Sequence, residues 1–171
     1  MSIHGSEQLT KTDVARIEAE IEHRRMVVRP AALKALKEAR AMGDLSENFE
    51  YYAAKRDNNI NNSRIRYLEK ILRNAVVIEE EADESKVGMN NTVELWFEED
   101  DEVETYRIVT SIRSDSRKGL ISNESPLGNA LMGHRVGDRV EVRVSDTDSY
   151  FVVIKSLEKT GESESDRIQS Y

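Results

Sequence analysis

The chain has 171 residues, 38% of them hydrophobic, three histidines and no cysteine. That length suits one domain or two small ones with a buried core, while the missing thiols exclude disulfides, thiolate chemistry and Cys-ligated zinc. Residues 1–75 carry 14 Lys and Arg against 11 Asp and Glu, and residues 76–171 carry 11 against 22 for a net charge of −8, so the second half is excluded from wrapping duplex DNA.

The first predicted element is a helix from about residue 10 to residue 41. Thr10 and Asp13 form a T-x-x-D capping pattern with Leu9 and Val14 as its hydrophobic staple. Val14, Ile17, Ile21 and Val28 make a narrow apolar stripe, and Arg and Glu fill the other faces. Pro30 removes one backbone donor and should kink or divide the helix. Ala31, Ala35 and Ala39 then favour close approach of a partner helix. That partner is a second helix from about 47 to 74, with Phe49, Ala53, Ile60, Tyr67/Leu68 and Ile71 as its seam. Its Asn-rich stretch DNNINNS, residues 57–63, is a poor helix former and must be held by packing. The pair is expected to form an antiparallel coiled-coil hairpin.

EEEADES follows as a polar connector, and the pattern then turns to strands at 92–97, 105–112, 119–122, 139–144 and 150–157. A short helix, SPLGNALMG, interrupts them, with Ser125 as N-cap, Pro126 at the first helical position and Gly133 past its end. Leu127, Leu131 and Met132 are its candidate core residues. The tail TGESESDRIQSY has the composition of a disordered segment. The expected organisation is a hairpin over 1–78, a linker over 79–87, a β domain over 88–158 and a tail over 159–171.

The turn between the helices, ARAMGDLSENFEYYAAK, holds two acids, Asp44 and Glu47. Asp44 as N-cap with Glu47 at N3 would make a D-x-x-E variant of the capping box, and both charges would favour the positive end of the helix dipole. The other possibility is that both point outward as hard oxygen ligands for a cation. Mg²⁺ often takes only one or two protein carboxylates and completes its octahedron elsewhere, so such a site needs a second macromolecule.

GDLSEN followed by EYYAAK resembles the tip of the bacterial Gre transcript-cleavage factors, nearer the GreA type than the GreB type. The resemblance runs in order through LTKTDVARIEAEIE, RPAALKALKEAR, RIRYLEKIL, YRIV, LIS, SPLGNALMG and VGDRV, over residues 8–158. It implies an α+β protein: an N-terminal antiparallel coiled-coil hairpin, then an FKBP-like antiparallel β domain with a short helix. It also implies that the second domain docks at the rim of the RNA polymerase secondary channel while the hairpin reaches toward the active centre. There Asp44 and Glu47 would help hold a Mg²⁺ ion shared with the polymerase, so that backtracked nascent RNA is cut near its 3′ end. Such a protein is no enzyme alone, since it stimulates the polymerase's own endonucleolytic activity.

By the same resemblance, Ser46 and Asn48 support the tip, and a basic patch on the arm holds extruded RNA, with Arg40, Lys55 and Arg56 as its candidates. An ordinary solvated face is the competing account of those cations. Tyr51 and Tyr52 either stack on a base or, as the more common arrangement, pack across the hairpin. The chain departs from the family pattern at Met42, where His is usual, at Phe49, where Ala is usual, and in the loop TSIRSDSRKG. The alternatives are a Gre-like paralogue that enters the same channel and inhibits or regulates, a stand-alone metal-dependent phosphodiesterase, and a plain coiled-coil module. With no apolar run long enough to span a bilayer and no basic-then-apolar start, a cytoplasmic monomer is expected, with no membrane contact.

Overall fold

The computed structural model describes residues 6–43, 48–163 and 166–168. The architecture is α+β and divides after Val77 into two units. In the first, strand β1 (Glu7–Leu9) leads into helix α1 (Lys11–His23), a π-helical turn (Arg24–Val28) and helix α2 (Arg29–Ala41). Helix α3 (Phe49–Arg73) returns antiparallel to them and runs into strand β2 (Ala75–Val77). The T-x-x-D signal holds: the Thr10 hydroxyl accepts from the Asp13 amide at 3.1 Å, and the Asp13 carboxylate accepts from the Thr10 amide at 3.2 Å. Strands β1 and β2, which periodicity did not reveal in three-residue segments, pair in parallel and tie the open end of the hairpin together.

Pro30 acts as expected, and the mechanism is specific. Proline has no N–H to return to the preceding turn and its ring crowds that turn. The helix answers by widening just ahead of it, so that the Arg29 N–H reaches back five residues to the Arg24 carbonyl. A π turn carries one extra residue, which rotates everything after it. The buried face of α2 therefore passes through Ala32, Leu36 and Ala39, while Ala31 and Ala35 of the expected close-approach face are exposed.

The seam of α3 is also displaced from its sequence assignment. Phe49 is 85% exposed and Ile60 59%, so neither belongs to it. The buried side follows Tyr51, Ala54, Asn58, Asn61, Ile65, Leu68, Ile71 and Leu72, so the expected Leu68 and Ile71 do lie on it. Polar Asn61 occupies a core position because it faces the π turn. Its amide donates to the Arg24 carbonyl at 3.3 Å and its oxygen accepts from Arg24 Nη1 at 3.2 Å. Arg29 Nε donates to Asn62 Oδ1 at 3.1 Å. The Asn-rich stretch thus pairs with polar groups of the π turn, and a Leu at 61 or 62 would remove the acceptor of Arg24 Nη1 or of Arg29 Nε.

One turn along, Glu20 accepts from Arg24 Nε at 2.8 Å and Arg64 Nε at 3.0 Å. Burial pushes the Glu20 carboxyl up, but the hydrogen bonds from Arg64 and then Arg24 outweigh it and hold the group below its usual range.

The second unit is a five-stranded sheet in the order β5-β4-β3-β7-β6. Its strands are β3 (Thr92–Phe97), β4 (Glu102–Val109), β5 (Leu120–Ser122), β6 (Arg139–Arg143) and β7 (Ser149–Glu158). All neighbours are antiparallel except the β4–β5 pair. Helix α4 (Pro126–Leu131) starts on a Ser125 cap, and Gly133 adopts φ +79 beyond its end, as its sequence indicates. Leu131 is fully buried with Val93, Leu95, Ile108, Val142 and Ile154, and Leu127 and Met132 pack at the margin of that cluster. Strand β4 stops earlier than its apolar pattern suggests, because Ile112 is buried from a 3-10 turn (Ser111–Arg113).

Two segments read from composition as linker and disordered tail carry specific contacts. Val87, at the end of the connector, is fully buried, and it exchanges backbone hydrogen bonds with Gly133 and His134. In the tail, Asp166 forms a two-pronged ion pair with Arg107, at 2.7 and 3.0 Å, and Glu162 accepts from Arg113 at 3.3 Å. Acid-rich composition signals disorder only where no buried cation waits for it.

The Arg107 hydrogen bond holds the Asp166 carboxyl below the ordinary carboxylate range against the opposing effect of burial. A lowered value in the folded state means that the stabilisation is complete above the ordinary value and is lost as pH falls through the lowered one. Facing Asp166 are the Arg107 and Arg113 guanidiniums and the Ser163 N–H, which donates to it at 2.8 Å. The Ser163 amide resonance is therefore expected to keep its native position under mildly acidic conditions and to move only at more acidic pH than a free aspartate titrates. Movement centred on the free-aspartate value would contradict the ion pair.

Candidate functional site

Helix α2 ends at Ala41, where the Met42 N–H donates back to the Ala39 carbonyl at 3.2 Å. Gly43 then takes φ +117, a left-handed conformation that side chains other than glycine rarely adopt. Asp44, Ser46 and Glu47 lie outside the described residues.

The described residues resume at Asn48, and this residue links the two helix ends. Its side-chain oxygen accepts from the Tyr51 N–H at 3.0 Å, which makes it the N-cap of α3. Its amide nitrogen donates to the Ala39 carbonyl at 2.7 Å. One side chain thus satisfies an orphan donor at the start of α3 and gives the Ala39 carbonyl, which already accepts from the Met42 N–H, a second donor at the end of α2. Capping by Asp44 with Glu47 at N3 was the structural use that spacing suggested for the acids. Helix α3 takes its cap from Asn48 instead, one residue beyond Glu47.

Of the three candidate cations, Arg40 and Lys55 meet at Tyr51 and Arg56 stands apart. Arg40 sits over the Tyr51 ring, 5.6 Å from its centroid, and its Nη2 donates to the Tyr51 hydroxyl at 3.5 Å. That hydrogen bond first, and then the charges of Arg40 and Lys55, hold the Tyr51 hydroxyl below its usual range. Arg40, Tyr51 and Lys55 therefore group together across the hairpin. Tyr51 uses its ring for cross-hairpin packing, while Tyr52, edge-on to it at 5.6 Å, is half exposed.

Arg56 lies one turn beyond Tyr52 and two beyond Phe49, on the outward stripe of α3 opposite its buried seam. Arg64, a cation on the same helix, is engaged by Glu20 and so is part of the seam. Exposed Met42 and Phe49 bracket the acidic turn. Their apolar character was legible in the sequence, but Phe49's assignment to the seam hid its exposure.

Among the described residues, no three His, Asp or Glu side chains come close enough to hold a metal ion. No described helix is long and apolar enough to cross a membrane.

Residues 7–77 match the family model described as "Transcription elongation factor, N-terminal", and residues 81–159 match "Transcription elongation factor, GreA/GreB, C-term". Hairpin and sheet unit are together those of a transcription elongation factor. The chain belongs to the GreA/GreB family. It is 40% identical over 157 residues to transcription elongation factor GreA of Macrococcus caseolyticus (strain JCSC5402), covering 92% of this chain and 99% of the relative. To GreA of Geobacillus kaustophilus (strain HTA426) it is 43% identical over 136 residues, covering 79% and 86%. Among solved structures it is similar to the GreA factor homolog 1 (Gfh1) protein of Thermus thermophilus. That likeness has a TM-score of 0.42 and 28% identity, and covers 90% of this chain and 99% of the other.

Proposed function

We propose that this protein enters the secondary channel of bacterial RNA polymerase as a monomer and stimulates the polymerase's own cleavage of backtracked nascent RNA. The observation that carries this reading is the double role of Asn48, which gives α3 its cap and ties it to α2 without either acid. Asp44 and Glu47 are then available as oxygen donors at the end of a helix of 25 residues, about 37 Å long.

Two carboxylates fit Mg²⁺ in donor chemistry, and they leave most of an octahedron for the polymerase and RNA to fill. An ion held there would supply a nucleophilic water at neutral pH and stabilisation of the leaving oxygen. The part of this chain would be to present those donors between two helices that Asn48 ties together. Arg40 and Lys55, grouped around Tyr51, would hold phosphates of the extruded RNA 3′ end, with Arg56 acting from the outward face. Ser46 would support the turn beside Asn48. The reacting bond belongs to the polymerase complex, so the protein acts in the cytoplasm as an accessory and not as an enzyme in its own right.

Stalled, backtracked polymerase carrying end-labelled RNA tests this directly. Addition of the protein should shorten the RNA and restore extension. The protein and RNA without polymerase should yield no product, and calorimetry should find Mg²⁺ affinity no tighter than about millimolar, as two carboxylates imply. Slowed elongation without cleavage would favour the inhibitory paralogue. Micromolar Mg²⁺ binding with polymerase-free cleavage would favour a stand-alone phosphodiesterase.

A further inference from the structure

We propose that Arg107 and Arg113 form a carboxylate-receptor site on the second unit, filled in the free protein by this chain's own tail and taken over by an acidic segment of the polymerase on docking. The partner rests on the function proposed above, whereas the receptor site stands on geometry alone. Arg113 is almost inaccessible, at 2% side-chain exposure, and is aimed by two fixed acceptors. Its Nε donates to Thr110 Oγ1 at 3.2 Å and its Nη1 to Asn90 Oδ1 at 2.9 Å. Arg107 Nε donates to the Asn90 carbonyl at 3.0 Å. Asn90 therefore orients both guanidiniums, from a backbone at φ +66 that the Ile108 carbonyl anchors through the Asn90 N–H at 2.7 Å. The donors left over meet the tail: Arg107 takes Asp166 with both terminal nitrogens and the Gly161 carbonyl at 2.8 Å, and Arg113 takes Glu162.

A two-pronged Arg–carboxylate pair gives both strength and directional selectivity, so the site selects acidic peptide over a diffuse counter-ion. The receptor is built from strand β4, the Asn90 turn and the 3-10 turn. Its occupant follows the last strand and holds no ladder position of its own. The family match on this unit ends at residue 159, so the receptor falls inside it and Glu162 and Asp166 fall outside. Arg113 itself stands in the loop where this chain departs from the family pattern. Arg117 and Lys118, both exposed, extend the cleft and leave room for a longer acidic segment than the tail supplies. In a half of the chain with 11 Lys and Arg against 22 Asp and Glu, this is a local inversion of charge.

A short tether holds a ligand at roughly millimolar effective concentration, so the tail should block weaker competitors while yielding to a better-matched partner. The full-length protein carrying Glu162→Gln and Asp166→Asn keeps the tail's length and polarity but removes its charge. A synthetic peptide of residues 160–171 should bind this variant at least about tenfold more tightly than the unaltered protein, because the tethered competitor is gone. The same peptide with both acids neutralised should bind neither, and Arg107→Lys, which loses the two-pronged geometry, should weaken binding again.

Equal affinity for the variant and the unaltered protein, or binding by neither, would overturn the receptor site. In a competition assay the variant should also bind core polymerase several-fold more tightly. Unchanged polymerase affinity beside clear peptide binding would overturn the polymerase as the partner. If the unaltered protein fails to bind polymerase at all, the proposed function fails, and the peptide measurement still decides the site.

Discussion

Alanine at both Asp44 and Glu47 is expected to lower stimulated transcript cleavage by roughly two orders of magnitude or more, while affinity for polymerase stays within a few-fold. A metal ion's stabilisation of developing charge amounts to several kcal/mol, and each 1.4 kcal/mol or so is tenfold in rate, so losing its ligands from one side should cost about that much. Folding should be little affected, because α3 is capped by Asn48. Asn48→Ala is the instructive companion. It removes a cap, at a cost of about 1 kcal/mol, together with the tie to the Ala39 carbonyl. It should reduce cleavage by loosening the acids' placement without removing them. Titrating the factor against backtracked complexes separates the two effects, since a loosened tip keeps a measurable rate at saturation. A double-alanine protein that cleaves at full rate would remove the acids from the mechanism.

Leu68→Ala should destabilise the hairpin by about 2–5 kcal/mol, the range for deleting a fully buried leucine side chain that leaves a cavity. Leu68 has no exposed surface and shares the hairpin's core with Ile17, Ile21 and Ile65. That core is one stripe wide, and next to it the seam becomes polar at Asn61, Arg24 and Glu20, so few neighbours can collapse into the gap. Ile60→Ala, on the outward face of the same helix, should change stability by no more than about 0.5 kcal/mol, as exposed substitutions usually do. Chemical denaturation followed by circular dichroism compares the pair. Equal costs would mean that the seam runs where heptad spacing alone suggests.

Much of the fold was legible because its signals are local. The Thr10–Asp13 box, the Ser125 cap with Pro126, and the alternation of Val93 and Leu95 each depend on residues a few positions apart, whose chemistry the sequence states directly. The sequence likewise placed two acids in one turn and determined the family. What it could not set is phase. Pro30 forces an extra residue into one turn and rotates the rest of that helix, so the face expected to hold Ala31 and Ala35 points elsewhere, while on α3 the polar Asn61 takes a core position that Phe49 and Ile60 were expected to share. Asn48 was legible as a tip residue, but its hold on the Ala39 carbonyl joins residues nine apart across a reversal of the chain. The pairing of Glu162 and Asp166 with Arg113 and Arg107 spans about fifty residues or more. Composition alone made that tail disordered. Only tertiary structure gives Glu162 and Asp166 their partners, because the free energy of a charged side chain is set by the charges and donors that folding brings beside it.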